Sequence, residues 1–242
     1  YYHGNFIPRR SESFDYARPV DGSNPATDWQ DLHPVEECIT LFNPANGWIQ
    51  NCNSTPFTAA GAYSPKAEDY PRYMAPDNEN FRGIQAVRLL QDVEKLNLDK
   101  LIELAYDPYL TAFEVLIPGL VEAYEAQPVE DPEMQAAVEA LRNWDYHVSA
   151  ESVPMSLAQY YGQELRRNGK APEGLNYIEQ ITYYGQEMPQ EERIEFFSTA
   201  LSQLKADFGQ WNTPWGEINR YQRLNGDIRQ PFEDSKPSVA IP

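Results

Sequence analysis

Residues 190–208 place Ile194, Phe197, Leu201, Leu204 and Phe208 at steps of 3, 4, 3 and 4. That spacing lays one apolar stripe along a helix, and a stripe of this kind is stable only when buried against other elements. The same periodicity organises most of the chain from Arg82 on. Residues 83–95 and 98–106 are apolar at helical spacing, and Asp107-Pro108 signals the start of another helix reaching Ala126. Asp131-Pro132-Glu133 is a helix N-terminus, with Asp as cap and Pro in the first turn, followed by Met134, Val138, Leu141 and Trp144 on one face. Residues 155–167 form a further helix that stops near Gly169.

The rest reads differently. Residues 1–60 have the composition of short strands and loops: HGNFIP, then 37-ECITLF-42 and 47-GWIQN-51, punctuated by Asp21-Gly22 and Asn46-Gly47. Residues 61–82 carry Pro65, Pro71 and Pro76 and read as an ordered, irregular loop, longer than a plain connection needs. A helical domain follows over 83–210, and residues 211–242 return to irregular structure. No internal repeat or low-complexity segment interrupts this order. The fold class is α+β, a small strand-rich head with a helical body.

Charge removes two classes of partner. The 242 residues carry a formal charge of −18, so clustered cations for nucleic acid or an anionic membrane surface are missing. Acidity of this kind serves solubility first, with an acidic metal cage as the other reading. No apolar run approaches the ~20 residues of a membrane span. The chain opens YYHGNFIPRR, without Met, a basic n-region or an apolar h-region, and ends DSKPSVAIP; it reads as a piece of a longer or processed protein. If the 37–42 and 47–51 runs pair as a hairpin, Cys38 and Cys52 lie roughly opposite each other. A disulfide would then fit an oxidising compartment, while two separate thiols explain the same residues equally well.

Most generic catalytic patterns are absent: G-x-S-x-G, the P-loop, G-x-G-x-x-G and H-E-x-x-H do not occur. His3, His33 and His147 are far apart and lack ligand spacing. What stands out is NPANGWIQNCNSTPF, Asn43 to Phe57, with four Asn and a Gln around Trp48 and Ile49. A turn needs one or two such amides. Asn53, after a strand and before Pro56, is a placed amide donor of the kind that stabilises an oxyanion, and Arg82, at a helix start, is a cation whose fork could orient it. The plain readings are a turn amide and a solvated arginine.

NPANGWIQNCNSTP resembles the N-P-x-x-G-[YW]-I-x-N-x-N-[NS]-x-P signature of the penicillin acylase family, whose members are N-terminal-nucleophile hydrolases and include acyl-homoserine lactone acylases. Further stretches agree in order: YYHGNFIPRR, ARPVDGSNPATDWQDLHPVEE, NFRGIQAVRLLQ and, near the end, WNTPWGEINRYQ. The matches cover roughly the first 90 residues well and the tail moderately. The resemblance implies a fragment of the αββα fold, taken from within the large subunit, with residues 211–242 leading back to the core.

It also implies a mechanism. In that family an N-terminal Ser, freed by self-cleavage, attacks an amide with its own α-amine as base. The second Asn of N-x-N, here Asn53, holds the oxyanion, and the family arginine behind it maps to Arg82. Asn43, Asn46 and Asn51 shape the hairpin; Trp48 flanks the site as a candidate substrate contact, with Cys52 beside it. The chain opens on Tyr1, so the resemblance puts the nucleophile elsewhere in the parent, together with much of the acyl pocket, and this segment alone is expected to be inactive. A structural calcium is implied, with Asp15, Asp69 and Asp77 the nearest candidate ligands, and no organic cofactor. Partners are the remaining segments of the parent heterodimer and an N-acyl small molecule such as a penicillin or an acyl-homoserine lactone. The expected location is periplasmic or secreted. Rival readings are a non-catalytic helical binding module and a degenerate acylase-like scaffold.

Overall fold

The computed structural model describes residues 7–242, which divide into two compact units, one up to Ala105 and the other from Tyr106 on. The expected HGNFIP strand and the opening YYHGNFIPRR lie mostly outside the described residues. Pro8, which is inside them, forms an isolated antiparallel bridge with Leu32.

The described residues of the first unit hold no regular strand: 38–42 and 47–51 are irregular, and short 3-10 turns stand at Pro25–Thr27, Val35–Glu37, Pro56–Thr58, Gly61–Tyr63, Ala67–Asp69 and Arg72–Met74. The 37–42/47–51 hairpin does not form, because its second arm pairs elsewhere. The Gln50 N–H donates to the Ala59 carbonyl at 2.8 Å, and the Asn46 side chain donates to the Ala60 carbonyl at 2.9 Å. Cys38 and Cys52 are free thiols, and the Cys38 Sγ–H points at the Pro34 carbonyl. Two small cores hold the turns: Ile39, Met74 and Ala75 in one, Leu41, Ala59 and Ala60 in the other. Helices α1 (Phe81–Gln91) and α2 (Leu98–Ala105) complete the unit.

The second unit is a helical bundle. It contains α3 (Thr111–Ala126), α4 (Pro132–Arg142), α5 (Val153–Asn168), α6 (Tyr177–Thr182), a π-turn over Tyr183–Glu187, and α7 (Gln190–Phe208). α7 packs on α3 and α5 through Phe197, Leu201 and Leu204, as its stripe requires; Ile194 is half-buried and Phe208, in the last turn, is exposed. Met134, Val138, Leu141 and Trp144 are buried together, and Asp131 caps α4 by accepting from the Glu133 and Met134 N–H groups. α3 begins at Thr111 instead of Asp107-Pro108 for a specific reason. Residues 108–110 pair with 146–148: the Leu110 N–H donates to Tyr146 and the Val148 N–H to Pro108, which holds that segment extended.

Arg193 lies on the buried face of α7 and is 5% exposed. Its Nε–H donates to the Tyr184 carbonyl of the π-turn at 3.1 Å, and Nη1 donates to the Gly119 carbonyl of α3 at 3.2 Å. There α3 and the π-turn touch backbone to backbone: a Cβ on Gly119 would sit 1.8 Å from the Gly185 carbonyl oxygen. Beyond α7, the tail is more ordered than its composition indicates. Helix α8 (Trp215–Ile218) is followed by β1 (Arg220–Tyr221), which pairs antiparallel with β2 (Val239–Ala240). These two are the regular strands among the described residues, and they lie near the C-terminal end, not the N-terminal one.

Candidate active site

The Asn-rich stretch folds as a series of tight turns whose amides have separate tasks. Asn43 takes a left-handed backbone (φ 50°), and the Gly47 N–H closes a turn on the Pro44 carbonyl at 3.0 Å. Asn46 ties this turn to Ala60. The Trp48 indole lies over Gly61, where a Cβ would meet the ring at 3.4 Å; its contact here is packing. Asn51 accepts the Asn53 N–H at 2.9 Å, and Asn53 itself is left-handed at φ 54°. Asn is among the few non-glycine residues that adopt this conformation readily, because its short side chain bonds locally.

The turn containing Asn53 is clamped to the start of α1. Asn80 is the hinge of that clamp. Its Oδ1 accepts the Gly83 N–H as helix cap at 3.0 Å, while its Nδ2 donates to the Cys52 and Asn53 carbonyls at 3.0 and 3.2 Å. The Thr55 N–H adds a bond to the Asn78 carbonyl. Gly83 permits the approach: a Cβ there would lie 2.2 Å from Glu79 Oε1 and 2.9 Å from Ser54 Oγ. In the same first turn of α1, Arg82 Nη2 donates to Asn53 Oδ1 at 3.3 Å.

That bond fixes what Asn53 can offer. A guanidinium only donates, so the amide must turn its oxygen to Arg82 and present its Nδ2 donors on the other side. Both side chains are exposed, and Asn53 Nδ2 has no partner among the described residues. The result is a polarised N–H donor on a left-handed turn, beside a fixed cation and the positive end of a helix. Such a donor suits a negatively charged oxygen.

Sequence reasoning found Asn53 and Arg82, and the structure brings them together. It missed Asn80, whose place before Phe81-Arg82-Gly83 is a readable cap signal. It also missed a polar cluster in the same unit, built around the buried His33 ring with Glu37 and Arg9 on its solvent side. His33 Nδ1 lies 2.8 Å from Glu37 Oε2 and His33 Nε2 lies 2.9 Å from the Tyr73 hydroxyl. Arg9 donates to the same Glu37 carboxylate. The hydrogen bonds from Arg9 and His33 hold the Glu37 carboxyl below the usual range, and Glu37 in turn raises Arg9. The spacing His33-x-x-x-Glu37 is the signal that carried this pair.

The calcium candidates are not gathered. Asp15 and Asp77 line a cavity of about 880 Å³, whereas Asp69 lines a neighbouring one of about 520 Å³. Asp15 accepts the Ala17 N–H within its own turn. Among the described residues no group of three or more His, Cys, Asp or Glu could hold a metal ion. Calcium takes 6–8 oxygens, and these three carboxylates do not form such a set.

An amide donor set by an arginine at the start of a helix can receive a negatively charged oxygen, the chemistry that acyl transfer requires of such donors. The family model described as penicillin amidase matches residues 1–237, nearly the whole chain. The chain belongs to the penicillin amidase family, a family of acylase-type hydrolases. No helix among the described residues is long and apolar enough to cross a membrane.

Proposed function

We propose that this chain supplies the side-chain half of the oxyanion site of an amide hydrolase, and that the hydrolase cleaves N-acyl compounds. The bond from Arg82 to Asn53 carries the reading. Attack on the amide would come from an N-terminal Ser elsewhere in the parent, giving an acyl-enzyme that water then hydrolyses. As the carbonyl carbon becomes tetrahedral its oxygen gains charge, and Asn53 Nδ2 would donate to that oxygen. Arg82 stays on Asn53 Oδ1, polarising the amide and stopping it from flipping. Because the donor is aligned before the reaction, little reorganisation is needed as charge develops. The substrate would be a penicillin, an acyl-homoserine lactone or another linear acyl amide, and the parent would work in the periplasm or outside the cell. A structural calcium in the parent would use a ligand set other than Asp15, Asp69 and Asp77 alone.

The test is Asn53→Ala in the complete enzyme, assayed on a chromogenic N-acyl amide. Loss of one oxyanion donor is expected to lower kcat by about 10²–10³-fold with KM little changed. Unchanged hydrolysis would return Asn53 to the role of a turn residue and favour a non-catalytic binding module. Absence of hydrolysis in the unmodified parent would favour a degenerate scaffold.

A further inference from the structure

In the helical unit a groove of about 500 Å³ opens beside α3, α5 and α6. Phe113, Leu116 and Ile181 give it an apolar floor, and Gln159, Gln163 and Gln180 also line it. Gly162, in the middle of α5, borders the groove, and its position has no packing requirement of the kind seen at Gly119. A Cβ at Gly162 would meet only the Phe113 ring edge at 3.4 Å, so this glycine keeps space open at a cost in helix propensity.

The rim has the opposite character. Arg166 and Arg167 both line the groove and both are exposed. Neither has a carboxylate partner among the described residues, although acids outnumber bases 37 to 19 in this chain. The nearby acids are engaged elsewhere: Glu164 accepts from Asn168, Glu179 from the Asn176 backbone, and Asp207 from Tyr160 and Gln203. The last turn of a helix favours cations, but that does not bring two unpaired guanidiniums to the lip of an apolar groove.

We propose that this groove binds an amphiphilic monocarboxylate, its alkyl or aryl body on the Phe113–Leu116–Ile181 floor and its head on Arg166 and Arg167. The volume falls within the range of small-molecule sites. Guanidinium forks match carboxylate geometry and strengthen the contact by charge. Among anionic heads, a singly charged one is repelled least by a protein of net charge −18. The site lies in the unit that does not carry Asn53, and it rests on nothing said above about amide hydrolysis.

Calorimetric titration of the full-length protein with octanoate, octanol and octyltrimethylammonium tests it. Octanoate is expected to bind at least ~10-fold more tightly than octanol, and the ammonium to bind least, since charge-assisted bonds are the stronger ones. The double variant Arg166→Gln/Arg167→Gln changes only exposed side chains. It is expected to bring octanoate down to the affinity of octanol, and Gly162→Leu to abolish both. Asn53→Ala is expected to leave all three titrations unchanged, which separates this site from the hydrolytic one. No octanoate binding, octanoate bound no better than octanol, or octanoate affinity unmoved by the double arginine variant would each overturn the proposal.

Discussion

Arg82 donates a hydrogen bond from Nη2 to Oδ1 of Asn53 across 29 positions of sequence, at 3.3 Å. The bond is exposed and long, so its worth lies in orientation more than in stability. With the amide oxygen occupied by a group that can only donate, the amide nitrogen is the face left for a ligand.

Asn53→Asp separates donation from shape. Aspartate nearly matches asparagine in size and would pair with Arg82, yet ionised it offers no donor and sets a negative charge where a second one develops. The expected outcome in the complete enzyme is a loss in kcat of at least the ~10²–10³-fold assigned to Asn53→Ala, with the fold retained. Steady-state kinetics beside circular dichroism checks this; activity above that of Asn53→Ala would contradict it.

Gly83→Ala probes the clamp between the 52–55 turn and α1. The added methyl meets Glu79 Oε1, which accepts the Asn80 N–H, and the buried Ser54 Oγ, so the contacts between the turn and α1 must shift to admit it. Alanine favours the helix itself, so thermal unfolding is expected to shift little. A displaced Asn53 is expected to cost about 10²-fold in kcat. Full activity would show that the close approach does not set the donor.

Arg193→Met removes both donors that bind α3 and the π-turn to α7 while roughly conserving volume. The expected loss is about 2 kcal/mol, because hydrogen bonds to a charged group outweigh neutral ones and relief of the buried charge offsets only part. Denaturant unfolding measures it as a lower midpoint at unchanged slope. A midpoint equal to that of the unmodified protein would contradict the bridge.

Tyr160 gives a pH test. Burial, then the hydrogen bond to Asp207 and that carboxylate's charge, push its phenol from 10 up to about 12. The folded state thus holds this proton longer than the unfolded chain. Its contribution is fully present below pH 10 and is lost as pH rises through 12. Thermal unfolding between those limits is expected to fall less steeply for Tyr160→Phe than for the unmodified protein. Equal slopes would contradict the assignment.

The sequence was most readable where one periodicity decided the structure. The α7 stripe and the Asp131-Pro132 cap are local signals, and both elements stand where those signals put them. Arg193 escaped because a stripe is counted in apolar residues, whereas its burial depends on two carbonyls from distant elements. The hairpin failed for the same reason: Gln50 has β-type neighbours, but its N–H partner is Ala59, a choice made by tertiary contact. The helix start at Thr111, not Asp107, depends on pairing with residues 146–148. At the site, Asn53 and Arg82 were found as a motif, while Asn80, which joins their two segments, was read as part of a loop.

The most direct measurement is a double-mutant cycle on the acylation rate of the complete enzyme, using Asn53→Ala, Arg82→Ala and both together. If Arg82 acts by orienting Asn53, each single change slows acylation and the pair is expected to be no slower than Asn53→Ala alone. Losses that simply multiply would mean that Arg82 acts on the substrate independently, and would contradict the role given to the bond between them.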